Sequence, residues 1–328
     1  MAEVARIAGT STQTVSRVLR DHPHVSEYTR QRVLDAVHQT GYRRTSIARA
    51  LTSGRTMTIG IVTYESDSLY ARSAIVLGVQ RATRDHGYSL SAAGTTSLSS
   101  AAIGQAIARL REQSVDGLVI AVPIEDDPDL VALTEDVPTV VVDGLGALSD
   151  EVVAVDQVAA GRMATEHLLQ LGHDTVWHVA GPSAWTDTAR RIEGWAAALE
   201  DGGRTVSPVL YGDWSPASGY RNGQVIARLP DATAVFVASD EMALGLMRAL
   251  KDMGRRVPGD VSIVGMDDIA LSEFFDPPLT TIRQPFQDLG RRAVEHVLAL
   301  VDDPDAKPES LWIKPELIVR TSTAPPPS

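Results

Sequence analysis

Residues 4–42 read VARIAGTSTQTVSRVLRDHPHVSEYTRQRVLDAVHQTGY, three short helices in outline. Residues 2–8 make a brief helical segment with Val4, Ile7 and Ala8 on one side, broken by Gly9. Ser11 offers its hydroxyl to an exposed first-turn N–H. It opens a helix over about 12–20 in which Val15, Val18 and Leu19 recur at spacings of three and four. Asp21-His22-Pro23 ends that helix. Ser26 caps a third, with Val33, Leu34 and Val37 as its buried stripe, and Gly41 stops it. Two helices joined by a turn of about four residues containing glycine spell a helix-turn-helix.

Charge follows the same boundary. Residues 1–58 hold nine arginines against four acids, +5, within a chain of net charge −12, so the remaining 270 residues carry −17. Such asymmetry marks a nucleic-acid-binding head on a separate body, although a basic surface without a partner has the same composition. Residues 43–58 are polar and arginine-rich, a linker with one short helical stretch over 46–51. The 328 residues are 44% hydrophobic and 22% charged, which describes an ordinary globular protein of two or three compact units. No apolar run approaches the roughly 18 to 20 residues of a membrane span. The first twenty residues lack the basic-then-apolar layout of a signal peptide, so the expected location is cytoplasmic. With no cysteine, disulfides, thiolate metal sites and a cysteine nucleophile are excluded. No nucleophile stands beside a base and no G-x-x-x-x-G-K loop occurs. His167 and His173 lie six apart with no third ligand near and read as structural. No enzyme, no metal and no cofactor are expected.

From Thr58 the pattern changes. TIGIV (58–62), YSLSAA (88–93), GLVIAV (117–122) and PTVVVDG (138–144) alternate with helical stretches at 73–86, 100–112 and 127–135. A second series follows: VVAV (152–155), TVWHVAG (175–181), VSPVLYG (206–212), AVFVAS (234–239) and VSIVGM (261–266), with helices at 158–171, 188–200, 216–229 and 241–253. This alternation predicts parallel sheets in doubly wound α/β units. The span is too long for one comfortable sheet. Two similar lobes are expected, with a cleft at their strand C-termini, where open α/β sheets bind ligands.

The head resembles the DNA-binding head of the LacI/GalR family of bacterial repressors. Later segments resemble the family in the same order: HLLQLGHDTVWHVAGP (167–182), ARRIEGW (189–195), GDWSPASGY (212–220), VASDEMALGLMRAL (237–250), VPGDVSIVGMDD (257–268) and PPLTTIRQ (277–284). GDWSPASGY and MALGLMRAL lie nearest to the family's lactose-responsive branch. The resemblance runs from about Glu3 to about Thr323 and implies a sugar-responsive, dimeric transcription regulator. Its fold would be an all-α head on an α/β body of two parallel-sheet lobes, like a periplasmic binding protein. The expected division is a head at 1–42, a hinge helix and linker at 43–57, a first lobe at 58–156 with 287–311, a second at 157–286 with 312–323, and a disordered proline-rich tail at 324–328.

In a helix-turn-helix the N-terminal residues of the second helix meet base edges. Here these are Thr12, Gln13, Ser16 and Arg17. Glutamine pairs in a bidentate way with adenine and arginine with guanine. Ser11, Thr14 and Tyr42 are expected on phosphates, which set register. Isolated, Thr12 and Gln13 would read as solvated first-turn residues; the full motif makes them contacts. By resemblance the linker is the family's hinge helix, and Leu51 is the residue that wedges into the minor groove and kinks the duplex. Two departures bear on DNA binding. Arg44 and Thr45 stand where the family usually has Pro-Asn, and only Met1-Ala2-Glu3 precede Val4, where the family has several residues including a helix cap. The second departure has two readings: the start is misassigned, or the first helix is frayed, and if the chain begins at Met1 its DNA affinity should suffer.

In the body, Trp185 and Trp214 fall in loops after strands, and aromatic faces in a polar cleft suit the apolar face of a sugar ring. By resemblance Trp214 and Phe286 flank the effector, while Asp143, Arg191, Asp267 and Gln284 supply polar contacts. Carboxylates accept from paired hydroxyls, and a guanidinium donates in a planar fork. Asp187 and Ser239 join this set as departures: aspartate replaces a serine and serine an asparagine, while Ala121 replaces a polar residue. The expected partners are near-palindromic operator DNA, a small sugar such as a galactoside or another mono- or disaccharide, and a second copy of the chain. The family's closing leucine-heptad helix has no counterpart in TSTAPPPS, which favours a dimer over a tetramer. The expected activity is repression of sugar-utilisation genes, relieved by the sugar. Two alternatives stand beside it: a regulator activated by a corepressor such as a purine, and a stand-alone sugar-binding protein.

Overall fold

The computed structural model describes residues 1–19, 22–41, 55–65, 70–122, 132–142, 152–303, 305–306 and 310–327. Tyr42, Leu51 and Asp143, the linker residues 43–54 and most of the helix expected over 127–135 lie outside these residues. The chain divides into two compact units, Met1–Thr56 and Met57–Ser328.

The first unit contains α1 (Ala2–Ile7), α2 (Thr12–Leu19) and α3 (Glu27–Thr40). Val4, Ala5, Ala8, Val15, Val18, Val33 and Ala36 form its core. The Ser11 hydroxyl accepts from the Thr14 N–H at 3.0 Å, and Ser26 accepts from Thr29 at 3.3 Å, so both predicted caps form. Met1 precedes α1 without a side-chain cap. Leu34 departs from expectation: it is 37% exposed, and Ala36 is buried with Val33 instead. The inward face of α3 is therefore narrower than the apolar residues suggest.

The second unit is two sheets wrapped by helices. The first sheet has strand order β11-β5-β4-β3-β1-β2, built from β1 (Thr58–Tyr64), β2 (Ser89–Thr95), β3 (Gly117–Ala121), β4 (Thr139–Val142), β5 (Val152–Val155) and β11 (Leu311–Ile313). The second has order β12-β10-β9-β8-β6-β7, built from β6 (Trp177–Ala180), β7 (Leu210–Tyr211), β8 (Ala234–Val237), β9 (Ser262–Asp267), β10 (Thr280–Arg283) and β12 (Glu316–Ile318). Every pairing is parallel except β10 with β12. Helices α4 (Tyr70–Asp85), α5 (Ser100–Glu112), α6 (Gln157–Gln170), α7 (Thr186–Asp201), α8 (Pro216–Ile226), α9 (Asp240–Asp252) and α10 (Phe286–Asp302) connect the strands. The strands are short and apolar because both faces are covered; β4, β5 and β8 are buried at all four positions.

The chain crosses between the lobes three times. It leaves β5 for α6, which packs in the core of the second sheet. It leaves β10 for α10, which packs on the first. It crosses again between β11 and β12, so Trp312 and Ile313 pair with β5 in the first lobe rather than beginning the second. β7 is only two residues long, where the sequence predicts a strand over 206–212; Pro208 supplies no N–H to a ladder. The tail expected to be disordered is held as far as Ala324. The Ala324 N–H donates to Ser262 Oγ at 2.9 Å, and its carbonyl accepts from Ser262 Oγ at 2.9 Å and faces His173 Nε2 at 3.0 Å. His167 Nε2 meets Thr323 Oγ1 at 3.1 Å. Burial pushes both imidazoles below their ordinary value.

Candidate functional site

In the head, Val15 and Val18 turn one face of α2 into the core and leave Thr12, Gln13 and Arg17 exposed, with Ser16 half-buried. Positions 13 and 17 are one helical turn apart on the outward face. Ser11 and Thr14 sit at the helix start and pair with each other at 2.9 Å. The turn before α2 is fixed by Gly9 at φ +59°. A Cβ there would stand 2.3 Å from Arg32 Nη2, which donates to the Ala8 carbonyl at 2.6 Å. Arg32 also lies 5.4 Å over the Tyr28 ring, and Arg30 donates to the His22 carbonyl at 3.1 Å. These two arginines brace the head, and Arg32 does so while staying exposed.

In the body, the C-terminal ends of both sheets converge on one cavity of about 760 Å³, its open mouth included. From the first lobe come Tyr64 at the end of β1, Ala121 and Val122 at β3, Val142 at β4, Ala71, Arg72 and Ile75 of α4, and Phe286 of α10. From the second come Trp185, Asp187 and Arg191 around the start of α7, then Trp214, Ser239, Asp267 and Gln284. The cavity thus gathers Asp187, Arg191, Trp214, Ser239, Asp267, Gln284 and Phe286 from the sequence reading. Tyr64, Arg72 and Trp185 complete its wall.

Aromatic rings run across the cleft. Tyr64 meets Trp185 edge-on at 5.6 Å, and Trp185 meets Trp214 at 5.3 Å. Trp214 sits at φ +70° and is only 6% exposed, so most of its ring is core and one edge faces the cavity. Gly181 makes room for it, because a Cβ there would lie 2.0 Å from Trp214 Cη2.

The charges are held firmly. Arg191 donates through Nε to Gln157 at 2.8 Å and through Nη1 to the Ala238 carbonyl at 2.7 Å, and its guanidinium lies 5.5 Å from the Trp214 ring. Its Nη2 reaches to 3.8 Å from Asp187 Oδ2, an ion pair without a hydrogen bond. Burial pushes the Asp187 carboxyl up, opposed by Arg191 and Arg190. Burial likewise raises Asp267 well above the carboxylate range, opposed by Arg191. Ser239 accepts from the Met242 N–H at 3.2 Å, so its oxygen already caps α9 while it lines the cavity. Asp267 and Asp268 lie at φ +112° and +53°. Asp268 accepts from Arg320 at 2.6 Å and Arg283 at 2.8 Å, which fixes the turn that presents Asp267.

Residues 1–45 match the family described as "Bacterial regulatory proteins, lacI family", and residues 165–323 match a "Periplasmic binding protein-like domain". A transcriptional repressor named PurR from Haemophilus influenzae is 34% identical, spanning 98% of this chain and 97% of that protein. The chain belongs to the LacI family. It is a DNA-binding transcriptional repressor of that family and not an enzyme. A crystal structure of the lac repressor dimer bound to operator and the anti-inducer ONPF superposes with a TM-score of 0.89 at 33% identity, covering 98% of each chain. A structure of the regulator CelR in complex with cellobiose gives 0.74 at 31% identity, again covering 98% of each. Among the described residues no helix is long and apolar enough to cross a membrane.

Tyr64 and Arg72 line the cavity and Gln157 holds Arg191 from behind it, and the resemblance to the LacI family named none of the three. Tyr64 ends a strand whose apolar run stops at residue 62. A search of strand C-termini, rather than of motifs, finds it. Trp185 was visible as a loop aromatic.

Proposed function

We propose that this LacI-family repressor binds a small sugar in the interlobe cavity and is released by it from a near-palindromic operator, which it holds as a homodimer in the cytoplasm. The carrying observation is the cavity wall: rings of Tyr64, Trp185, Trp214 and Phe286 beside the polar groups of Asp187, Arg191, Asp267 and Gln284. Sugar rings present an apolar face and a rim of hydroxyls, and this wall offers a surface for each. The cellobiose complex of CelR and the operator-bound lac repressor dimer support the reading. In the head, Thr12, Gln13, Ser16 and Arg17 read bases, and Ser11, Thr14 and Tyr42 hold phosphates. Leu51 wedges the minor groove, and Asp143 joins the effector contacts. Release follows from linkage: a sugar that prefers one lobe orientation lowers operator affinity by its differential affinity for the two states.

The test is a gel shift with the purified chain on its own promoter region at physiological salt. Binding no tighter than to random DNA rejects the regulator reading, and affinity falling as lactose, cellobiose or another sugar is added supports induction. Identity to repressors named PurR favours a second reading of opposite sign, a corepressor such as a purine. Affinity that rises with the added purine selects it.

A further inference from the structure

Four buried side chains run as one directional chain of hydrogen bonds behind the cavity. Arg191 Nε donates to Gln157 Oε1 at 2.8 Å, Gln157 Nε2 to Gln284 Oε1 at 2.9 Å, and Gln284 Nε2 to Asp267 Oδ1 at 2.6 Å. Their exposures lie between 4% and 8%. The guanidinium has only donors, so Gln157 must turn its oxygen to Arg191 and its nitrogen to Gln284. The same choice then passes to Gln284 and ends on Asp267. Both amide dipoles align from the cation to the carboxylate.

Arg191, Gln284 and Asp267 line the cavity; Gln157 does not. Its place in the chain is what matters. Gln157 is the first residue of α6, where the chain leaves the first sheet after β5. Gln284 follows β10, where the chain returns toward α10 and the first sheet. The Gln157–Gln284 bond therefore ties two of the three crossovers to each other and to the charged pair of the cavity.

We propose that Gln157 is a positioning residue of this cavity. Through Arg191 it aims the guanidinium, through Gln284 it sets the direction of hydrogen bonding at Asp267, and it ties both to the segments on which lobe movement turns. The step from there to ligand response rests on the sugar reading above; the polarity of the chain does not.

The experiment reverses the polarity in the full-length protein and reads thermal melting without any sugar. Gln157→Glu keeps an acceptor for Arg191 but has no donor. In alkaline buffer, which ionises the Asp267 carboxyl that burial raises, Gln284 must then turn its nitrogen to Glu and its oxygen onto a carboxylate. This variant is expected to lower the melting midpoint by roughly 3–8 °C. Asp267→Asn alone still accepts from Gln284 and melts near the wild type. Combined with Gln157→Glu, it donates its amide to the turned Gln284 oxygen and restores the midpoint to within about 2 °C. Asp187→Asn removes a carboxylate 3.8 Å from the same guanidinium but outside the chain of bonds, and gives no restoration. A merely structural role for Gln157 moves the midpoint additively. Equal rescue by Asp187→Asn and Asp267→Asn reduces the effect to charge balance and overturns the proposal, as does rescue by neither. If Gln157→Glu does not fold, Gln284→Glu makes the same comparison in the same alkaline buffer, since Asp267→Asn can donate to it and an ionised Asp267 cannot. Because no sugar enters these melts, failure of every sugar to bind leaves their outcome intact.

Discussion

Gly9 and Gly181 each hold open the space that a neighbouring ring or cation needs. At Gly181 an added Cβ would overlap the Trp214 indole, so Gly181→Ala should cost about 1–3 kcal/mol by overpacking and shift the tryptophan fluorescence; unchanged melting and emission would place the indole elsewhere. Gln13 makes the opposite kind of case, an exposed side chain with no role in the core. Gln13→Ala is expected to weaken binding to the cognate promoter by about 1–3 kcal/mol while leaving sugar binding as it was. Titration of both ligands checks this, and an unchanged operator affinity removes Gln13 from the recognition set. Resemblance to the family's motifs singled out Arg191, Asp267 and Gln284. It could not show that Gln157 stands between them, because its neighbours lie 34 and 127 positions away.

Elements carry the electrostatic consequences. The first residue of α9, Asp240, is fully buried and accepts from Ser272 Oγ at 2.6 Å, Thr281 Oγ1 at 2.7 Å and the Ile269 N–H at 2.9 Å. It thereby joins the start of α9 to the loop after β9 and to β10. Burial outweighs these donors and pushes its carboxyl up to about 6, from 3.8 in the unfolded chain. Between those values the folded form binds the proton more tightly, so stability falls as pH rises through the window, by up to about 3 kcal/mol. Asp187 and Asp267 are raised by burial too and add to the same slope. The lowered imidazoles of His167, His173, His178 and His296 act in the opposite direction over the same range, so the test is the difference between proteins. Denaturation between pH 4 and 7 should show the wild type losing stability relative to Asp240→Asn as pH rises, and a difference that does not change with pH would contradict the assignment. The helices and their caps were legible because capping and apolar spacing are local. β7 was not, since Pro208 lies inside an apolar run and its lost N–H matters only where a neighbouring strand needs it. Leu34 was misread for a related reason: which flank of an apolar stripe is covered depends on the helices packed against it.

For the whole molecule, the −12 net charge averages an arginine-rich head and a body of −17. Salt and ligand should therefore act on different units. The logarithm of operator affinity should fall linearly with the logarithm of salt concentration, with a slope of about −0.9 per phosphate contact, which a salt series of binding isotherms measures; a flat response would rule out phosphate contacts. A sugar at about 100 times its dissociation constant should add about 2.7 kcal/mol to the stability of the body. The resulting rise in melting midpoint should be equal in the wild type and in Gln13→Ala; a shift abolished by that variant would place the ligand in the head. The helix-turn-helix and the alternation of strand and helix could be read from the chain, because each is written in short-range spacing; the family and the polar residues of the cavity came through resemblance of contiguous motifs. Which strand ends meet across the cleft, the aromatic path from Tyr64 to Trp214, the crossing of β11 back to the first sheet and the bond between Gln157 and Gln284 exist only in the folded protein. They depend on pairing between segments far apart in the chain, and local propensity carries no record of those distances.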